Sequence, residues 1–416
     1  MKYITFIPLI GGMAIANEQA TGKKPEFVLS YDAFAKNESS LKSYWPDVEW
    51  HILDAETNQL KNGETLDYTD IDFVSSVCPC AGMSVMSSSH SADSETNNWL
   101  YKSADYILGT IKPKVYFGEN APGLYSQLNE KVLNKLRAYG EKYGYAFTIY
   151  KTDTRLHGIP QRRIRTFFFF WKSETCPIMD YYNNPSEKPF EQWILDKNTG
   201  THSNEFGLTK EELLRSYPEI VWLLETKCNN NYDEFIKFFY NFCDNGHRIL
   251  DVYSYISLKN KWEEYIAWLK NYKYGDVPLS KNGKRTGLSL AEYRYDKIKR
   301  GLRYYSDIPI VYKDYAASLT GKTYNLIMHP TEFRTLSVRE TMELMGLPKD
   351  FNITSGVTVH MTQNVPVCTA KDMTEQAIKF INGELEMSKY DFIKQNNLKQ
   401  RVEYSAYPEP RLPFEN

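Results

Sequence analysis

The sequence predicts an α/β fold, in which a mostly parallel sheet carries helices on both faces, together with a second, smaller domain. Up to about residue 171, short apolar runs alternate with amphipathic segments, the pattern of strands joined by helical crossovers. From residue 172 to 330 this alternation stops, and aromatic residues and short helical patterns dominate. These two observations predict residues 1–171 as the first part of one domain and residues 172–330 as another.

The predicted strands are short runs of apolar and β-branched residues bounded by turn residues. They cover residues 3–10, 27–30, 71–77, 115–118, 146–150 and 165–171. A helix is predicted over residues 127–143, because apolar residues recur there at helical spacing. The members of this apolar stripe are Leu128, Val132, Leu136 and Tyr139.

Regular structure is predicted to return after Pro330. Residues 337–340, Ser-Val-Arg-Glu, have the spacing of a capping box and predict the start of a helix. We therefore assign residues 331–383 to the C-terminal part of the first domain. Residues 384–416 are polar and contain prolines, which predicts a tail that lies on the surface.

The composition is typical of a globular protein of two domains. The chain has 416 residues, of which 42% are hydrophobic and 25% charged, and no apolar run is long enough to span a membrane. Residues 1–16 resemble a short secretory signal, but they also fit a first strand, a Gly-Gly turn and the start of a helix. The six unevenly spaced cysteines do not indicate a secreted disulfide framework, so we predict a cytoplasmic protein.

Charge is balanced overall but not locally. The formal net charge of −2 gives no global argument for nucleic-acid binding, so any such contact must come from local clusters. One cluster lies in residues 281–303, where eight Lys and Arg residues are interleaved with tyrosines. A phosphate-contacting surface and a solvated helix face both remain open for this stretch.

Cys80 follows the apolar strand predicted over residues 71–77, at the turn where the strand ends. Ligands of open α/β sheets bind at the carboxyl ends of the strands, so a thiol here is a candidate nucleophile. The other five cysteines lack a comparable context and are predicted to be structural. Cys78 and Cys80 are too close together, with no second pair, to predict a metal site. The Ser-rich residues 85–99 predict either a lid beside Cys80 or a plain surface loop.

Four short stretches occur in a fixed order. They are residues 79–84 (Pro-Cys-Ala-Gly-Met-Ser), 118–124 (Gly-Glu-Asn-Ala-Pro-Gly-Leu), 158–165 (Gly-Ile-Pro-Gln-Arg-Arg-Ile-Arg) and 334–340 (Arg-Thr-Leu-Ser-Val-Arg-Glu). Together they resemble the ordered motifs of the DNA (cytosine-5)-methyltransferases, and the chain resembles a divergent member of the bacterial or phage type. This resemblance implies a Rossmann-like methyltransferase sheet, with the smaller domain at residues 172–330 serving target recognition.

The resemblance implies a catalytic set around Cys80. Cys80 matches the cysteine that adds to carbon 6 of cytosine, because carbon 5 must be activated before it can accept a methyl group. Glu119 matches the carboxyl group near ring nitrogen 3, although a helix-start or surface acid is the competing interpretation. Arg163 and Arg165 match the arginines that contact the exocyclic oxygen, and a structural salt bridge competes for one of them.

S-adenosyl-L-methionine is the implied methyl donor, yet its expected site departs from the family pattern. Residues 5–12 (Thr-Phe-Ile-Pro-Leu-Ile-Gly-Gly) replace an Asp-Leu-Phe-x-Gly-x-Gly-Gly motif, so only the last two glycines remain. Asp32 is merely the nearest carboxylate to the expected ribose contact, and Asp54 is a better match for the adenine contact. The full set of predicted donor-binding residues is Ile7, Ile10, Gly11, Gly12, Asp32, Asp54, Pro79 and Asn364.

Double-stranded DNA is the implied partner, and a buried target base must be rotated out of the helix to reach a thiol. The predicted DNA contacts belong to the loop after Cys80, to the third motif and to the basic stretch, and they are Ser84, Ser87, Gln161, Lys284, Arg285, Arg294, Lys299 and Arg300. We predict a monomer without a metal, in the cytoplasm of a bacterial or phage-infected cell.

Two alternatives keep the fold and change the function. The altered residues 5–12 allow a non-catalytic DNA-binding relative that has lost the donor site. A relative that installs a different group at cytosine carbon 5 would also keep the cysteine. Transfer RNA is a less favoured substrate, because residues 172–330 resemble a DNA recognition domain, and the folate-dependent pyrimidine alkylating enzymes are not expected to carry the second and third motifs.

Overall fold

The computed structural model describes residues 1–78, 94–197, 207–244, 251–272, 287–302, 308–321, 325–354 and 358–404. The chain folds into two compact units. The first unit consists of residues 1–187 and 344–416, and the second of residues 188–343. The assignment of residues 172–330 to target recognition remains a prediction.

The described residues of the first unit form a nine-stranded sheet. Its strands are β1 (Tyr3–Phe6), β2 (Val28–Tyr31), β3 (Trp50–Leu53), β4 (Phe73–Val77), β5 (Val115–Asn120), β6 (Ala146–Asp153), β8 (Ile164–Trp171), β10 (Phe392–Asn396) and β11 (Arg401–Tyr404). Two shorter strands are β7 (Gln161–Arg162) in this unit and β9 (Ala316–Ala317) in the second unit.

The strands lie in the order β11-β10-β6-β8-β5-β4-β1-β2-β3. Strands β1 to β5 run parallel to one another, whereas β8 is antiparallel to both of its neighbours and β11 is antiparallel to β10. The carboxyl ends of β1, β2, β3, β4 and β5 therefore meet at one edge of the sheet, where open α/β folds bind their ligands.

Helices flank this sheet in the first unit. They are α1 (Gly12–Thr21), α2 (Ala35–Tyr44), α3 (Asn98–Tyr106), α4 (Glu130–Tyr143) and α13 (Val367–Ile381). A mixed α/β fold with a large central sheet flanked by helices is thus what the sequence predicted. Among the described residues, no helix is both long and apolar enough to cross a bilayer.

The core of the sheet is aromatic around β8. The four consecutive phenylalanines at residues 167–170 and Trp171 are all fully buried. Phe169 stacks on Trp171 with ring centroids 4.8 Å apart and on Phe117 of β5 at 5.3 Å. A strand buried on both faces needs a continuous apolar run rather than alternation, which explains the composition of β8.

Each predicted strand overlaps an observed strand, although the ends differ by up to four residues. The prediction missed β3, β10 and β11, and the last two lie in the stretch that the sequence assigned to a surface tail. The predicted helix over residues 127–143 begins as a regular α-helix only at Glu130. Leu128 was wrongly placed on its apolar stripe, because it lies in the preceding 3-10 turn and is 77% exposed.

The second unit is helical. Its helices are α5 (Phe190–Leu195), α6 (Lys210–Ser216), α7 (Pro218–Lys227), α8 (Tyr232–Asp244), α9 (Val252–Leu258), α10 (Trp262–Asn271), α11 (Gly287–Lys299) and α12 (Val338–Glu343). The predicted capping box of α12 is confirmed. The Glu340 N–H donates to the Ser337 hydroxyl at 3.1 Å, and the Ser337 N–H donates to the Glu340 carboxylate at 2.7 Å.

Candidate active site

Glu119 lies near the end of β5, next to the strand that leads toward Cys80. Its carboxylate is only 4% exposed, and Oε1 lies 2.7 Å from Nε of Arg165. Burial raises the pKa of Glu119, while the positive charges of Arg165 and Arg163 oppose that shift. The site therefore combines a desolvated carboxyl group with a guanidinium that fixes its position, and the carboxyl group is not a surface acid.

Arg163 is placed differently from Arg165. Its side chain is almost fully buried, and one of its terminal nitrogens donates to the carbonyl oxygens of Thr362 and Asn364, both at 2.7 Å. A guanidinium can bridge two carbonyls because its five N–H donors form a rigid fork. Arg163 thus fixes the segment that carries Asn364. Its predicted contact with cytosine remains a prediction.

Gln161 is also part of the interior of the first unit. It is fully buried, and its side-chain amide donates to the carbonyl oxygen of Leu344 at 2.8 Å. This hydrogen bond ties the third motif to the chain that follows the second unit in sequence. The contact of Gln161 with DNA remains a prediction.

A buried hydrogen-bond chain supports the loop before Gln161, and no sequence motif indicates it. His157 Nε2 lies 2.6 Å from the Thr152 hydroxyl, and Nδ1 lies 2.5 Å from the Asp372 carboxylate on α13. The spacing of more than two hundred residues between His157 and Asp372 carries no local signal. This chain fixes the start of the third motif to α13.

Cys80, Pro79, Ser84 and Ser87 lie outside the described residues, and so does most of the predicted lid at 85–99. Cys78 is described and buried, with its thiol 3.5 Å from the Ser103 hydroxyl. Burial raises the pKa of the Cys78 thiol, which suppresses the reactive thiolate. The structural role predicted for Cys78 agrees with this environment.

The turn from β1 into α1 has left-handed backbone angles at three residues, and two of these residues are not glycine. Ile7 has φ of 47°, Leu9 of 52° and Gly11 of 110°, all in the left-handed region that favours glycine. The turn is held at both ends, because the Ile7 N–H donates to the Leu29 carbonyl at 2.9 Å and the Gly11 N–H to the Pro8 carbonyl at 3.0 Å. Ile7 and Leu9 thus adopt a backbone conformation that glycine would adopt at lower cost.

Asn364 contacts the same turn, although it lies 352 residues after Gly12 in the chain. Its Oδ1 accepts the Gly12 N–H at 2.8 Å. A Cβ atom on Gly12 would lie 2.1 Å from the Val365 carbonyl oxygen, so only glycine fits there. The Nδ2 atom of Asn364 is buried and has no hydrogen-bond partner among the residues that the structure describes. A buried amide donor of this kind is suited to an acceptor on a ligand.

The two predicted aspartates differ in how they are used. Asp32 directly follows β2, is 61% exposed and pairs with Lys61. Asp54 follows β3, and its Oδ1 accepts the Thr57 N–H at 2.9 Å, the Thr57 hydroxyl at 3.0 Å and the Glu56 N–H at 3.0 Å. These hydrogen bonds, chiefly those from Thr57, lower the pKa of Asp54 and hold its loop. Both donor contacts remain predictions.

The basic stretch is only partly described. Lys284 and Arg285 lie outside the described residues, whereas the segment of α11 and the residue after it carry the other three predicted DNA contacts. Arg294 packs over the Tyr253 ring at 4.2 Å, Lys299 lies over the Tyr295 ring at 4.0 Å, and Arg300 pairs with an aspartate one helical turn away at 3.4 Å. Aromatic stacking and ion pairing within one unit fit a solvated helix face as well as a phosphate-binding one.

The first unit thus places a buried carboxyl group, an arginine pair and a glycine-like turn at or beside one edge of the sheet. Within the described ranges, no group of three or more His, Cys, Asp or Glu side chains could hold a metal ion. Carboxylate, guanidinium and backbone amide groups can bind a polar heterocycle and a nucleoside-like ligand without a metal.

Comparison with known proteins identifies the family. The profile described as C-5 cytosine-specific DNA methylase matches residues 1–379. Type II methyltransferase M.AgeI of Thalassovita gelatinovora is 32% identical over 99 residues, which cover 24% of this chain and 23% of that relative. The chain therefore matches less than a quarter of the length of this curated relative.

Solved structures show the same fold at low sequence identity. A protein described as a DNA modification methyltransferase encoded within an E. coli prophage superposes with a TM-score of 0.54 at 14% identity, over 92% of this chain and 100% of that chain. Methyltransferase EhMeth of Entamoeba histolytica gives a TM-score of 0.51 at 12% identity, over 92% and 98% of the two chains. With the profile match over most of its length, the chain belongs to the C-5 cytosine-specific DNA methylase family.

Proposed function

We propose that this protein transfers a methyl group from S-adenosyl-L-methionine to carbon 5 of a cytosine in double-stranded DNA. The observation that carries this proposal is the Glu119–Arg165 pair, because a buried carboxyl group held at 2.7 Å by a guanidinium suits the polar edge of a base. The membership of the chain in a cytosine-specific family supports the choice of base.

The chemistry begins at Cys80 in this proposal. The Cys80 thiolate adds to carbon 6, a new carbon–sulfur bond forms, and the displaced electron pair moves through the ring toward carbon 5. Glu119 donates a proton at ring nitrogen 3, which neutralises the charge that the addition creates. Its raised pKa favours the protonated form needed for this step.

Carbon 5 then becomes nucleophilic and accepts the methyl group. S-adenosyl-L-homocysteine is the leaving group of that transfer. Water then takes the proton that carbon 5 loses, the Cys80 thiolate is eliminated from carbon 6, and the proton on ring nitrogen 3 returns to Glu119, which restores the aromatic ring and both side chains. In this proposal Arg165, which pairs with Glu119, donates to the exocyclic oxygen of the base, and Arg163 acts through the segment at residues 362–364 to which it donates. A base must leave the duplex to enter such a site.

The first-unit residues fit a donor nucleoside. S-adenosyl-L-methionine supplies an electrophilic methyl group when it is bound. Asn364, which packs closely against Gly12 in the turn after β1, offers its buried and unpartnered Nδ2 as a donor to a ligand oxygen. These features favour a retained donor site over the non-catalytic alternative.

The remaining parts of the proposal concern the partner. We place duplex DNA against the second unit and the loop after Cys80, with the enzyme acting as a monomer inside a bacterial or phage-infected cell. Phosphate contacts supply affinity that falls with salt, whereas base contacts supply specificity. Arg294, Lys299 and Arg300 are the described candidates for phosphate contact.

The experiment that tests this function is methyl transfer to duplex DNA of mixed sequence, with labelled donor and with nucleosides analysed by mass spectrometry. We expect label in 5-methylcytosine with the wild type and none with Cys80→Ser. Cys176→Ser is the matched control, because that thiol is buried in the same unit and donates to a backbone carbonyl at 3.2 Å. DNA binding without any label would contradict the proposal, and a different modified cytosine would support transfer of another group.

A further inference from the structure

A second buried carboxyl group lies beside the turn after β1. Glu38, in the first turn of α2, is 2% exposed. The Ser30 hydroxyl near the end of β2 donates to Oε1 of Glu38 at 2.5 Å. Among the described residues Glu38 forms no ion pair, and the one cation whose charge acts on it is Lys42, one turn further along α2. A carboxyl group in such a position costs stability unless a further partner uses it.

The position of Glu38 relative to the turn follows from backbone pairing. The Ile7 N–H donates to the carbonyl of Leu29, and Ser30 is the next residue along β2. On α2, Leu41 lies one helical turn after Glu38 and so shares its face. A Cβ atom on Gly11 would lie 2.7 Å from Leu41 Cδ1, which places this face of α2 against the glycine turn.

The exposed alternative, Asp32, is less suited to a ligand. It is 61% exposed and already pairs with Lys61. Glu38 by contrast makes a single hydrogen bond within the described part of the chain and retains acceptor capacity, because a carboxyl group offers about four lone-pair sites. Burial raises the pKa of Glu38 to about 8, so the group can both accept and donate a hydrogen bond near neutral pH.

We propose that Glu38, rather than Asp32, binds the ribose hydroxyl groups of the methyl donor. Acids near the end of the second strand bind ribose hydroxyls in nucleotide-binding α/β folds, and two adjacent hydroxyls match the two oxygens of one carboxyl group. The inference rests on the proposed function, because it takes S-adenosyl-L-methionine as the donor. It assigns the ribose contact to Glu38 on α2, whereas the sequence analysis named Asp32, directly after β2, as the nearest carboxylate.

Calorimetry with S-adenosylhomocysteine on the full-length protein tests this assignment. We expect Glu38→Gln to weaken binding by roughly tenfold, because the amide replaces one of the two oxygens that would face the ribose hydroxyls with an NH2 group that cannot accept a hydrogen bond. Asp32→Asn, the matched control, should bind within about twofold of the wild type, since an exposed ion pair contributes little. Circular dichroism and thermal unfolding establish that both variants are folded.

A 2′-deoxy analogue of S-adenosylhomocysteine separates contact from mere structural support. If Glu38 touches the ribose, the analogue binds the wild type more weakly but loses little further affinity for Glu38→Gln. Independent, multiplicative losses would overturn the assignment, as would a large effect of Asp32→Asn with none at Glu38. If the folded wild type binds no S-adenosylhomocysteine at all, the donor in the proposed function is wrong and this inference falls with it.

Discussion

Leu9 offers a sharp test of whether the turn after β1 has a left-handed backbone. At φ of 52°, any residue other than glycine carries a cost of about 1–2 kcal/mol. Ile10, the next residue, is fully buried and does not have a positive φ, so it serves as the matched control. We therefore compare Gly with Ala at both positions, because each pair removes nearly the same side chain.

At Ile10, Gly should be less stable than Ala by about 0.5–1 kcal/mol, because glycine loses more backbone entropy on folding. At Leu9 the same entropy loss is outweighed by relief of the left-handed conformation, so Gly should be more stable than Ala by roughly 0.5–1 kcal/mol. The difference in the free energy of unfolding between the Gly and Ala variants should therefore be about 1.5 kcal/mol more favourable to Gly at Leu9 than at Ile10. All four variants should be less stable than the wild type, because each loses a buried apolar side chain.

Differential scanning calorimetry measures the four unfolding midpoints. A difference of about 1.5 kcal/mol corresponds to roughly 3–6 °C in a domain of this size. We predict that Leu9→Gly unfolds above Leu9→Ala and that Ile10→Gly unfolds below Ile10→Ala. If glycine is the less stable residue at both positions, the left-handed turn is refuted.

Gly12→Ala should reduce donor affinity at least about tenfold in calorimetry, because its Cβ would lie 2.1 Å from the Val365 carbonyl; unchanged affinity would refute the contact. Arg165→Gln should raise the pKa of Glu119, since it removes an opposing charge, and should move the alkaline limb of the pH–rate profile upward; a downward shift counts against the acid role. Glu38→Gln should unfold at a higher temperature than wild type at about pH 8.5 but not at about pH 4.5. The pKa of Glu38 is about 8 in the folded protein and about 4.5 in the unfolded chain, so the folded wild type loses stability as pH rises through this range, whereas the variant does not. A constant difference in unfolding temperature across that range would contradict the burial argument.

Much of the sheet could be predicted because its central strands are buried on both faces. The residues of β4, Phe73–Val77, are all buried, and this dictates a local composition that a sequence reveals. The missed strand β10, Phe392–Asn396, contains Lys394 and Gln395 and is recruited by pairing with β6. Strand β3, Trp50–Leu53, is mostly half-buried at the sheet edge. Such strands depend on tertiary partners more than on their own residues.

In the candidate site, too, the sequence predicted features set by local motifs but not those set by distant partners. The motif around Glu119 predicted a carboxyl group at a strand end, and the structure places it in a buried ion pair. The sequence could not predict that Arg163 bridges two carbonyls about two hundred residues away. Glu38 was missed because an acid in an otherwise polar helix has no sequence signature. Only the short hydrogen bond from Ser30 and its depth in the unit distinguish it.

Covalent addition of Cys80 to cytosine during methyl transfer can be tested by trapping on duplex DNA that contains 5-fluorocytosine. Fluorine at carbon 5 blocks the final proton loss, so the enzyme cannot leave the base. We predict a complex that survives denaturation, that forms with S-adenosyl-L-methionine present and that peptide mapping assigns to Cys80. Folded Cys80→Ser should form no such complex. A complex that persists in Cys80→Ser, or none with the DNA-bound wild type, would contradict the assignment of Cys80 as the nucleophile.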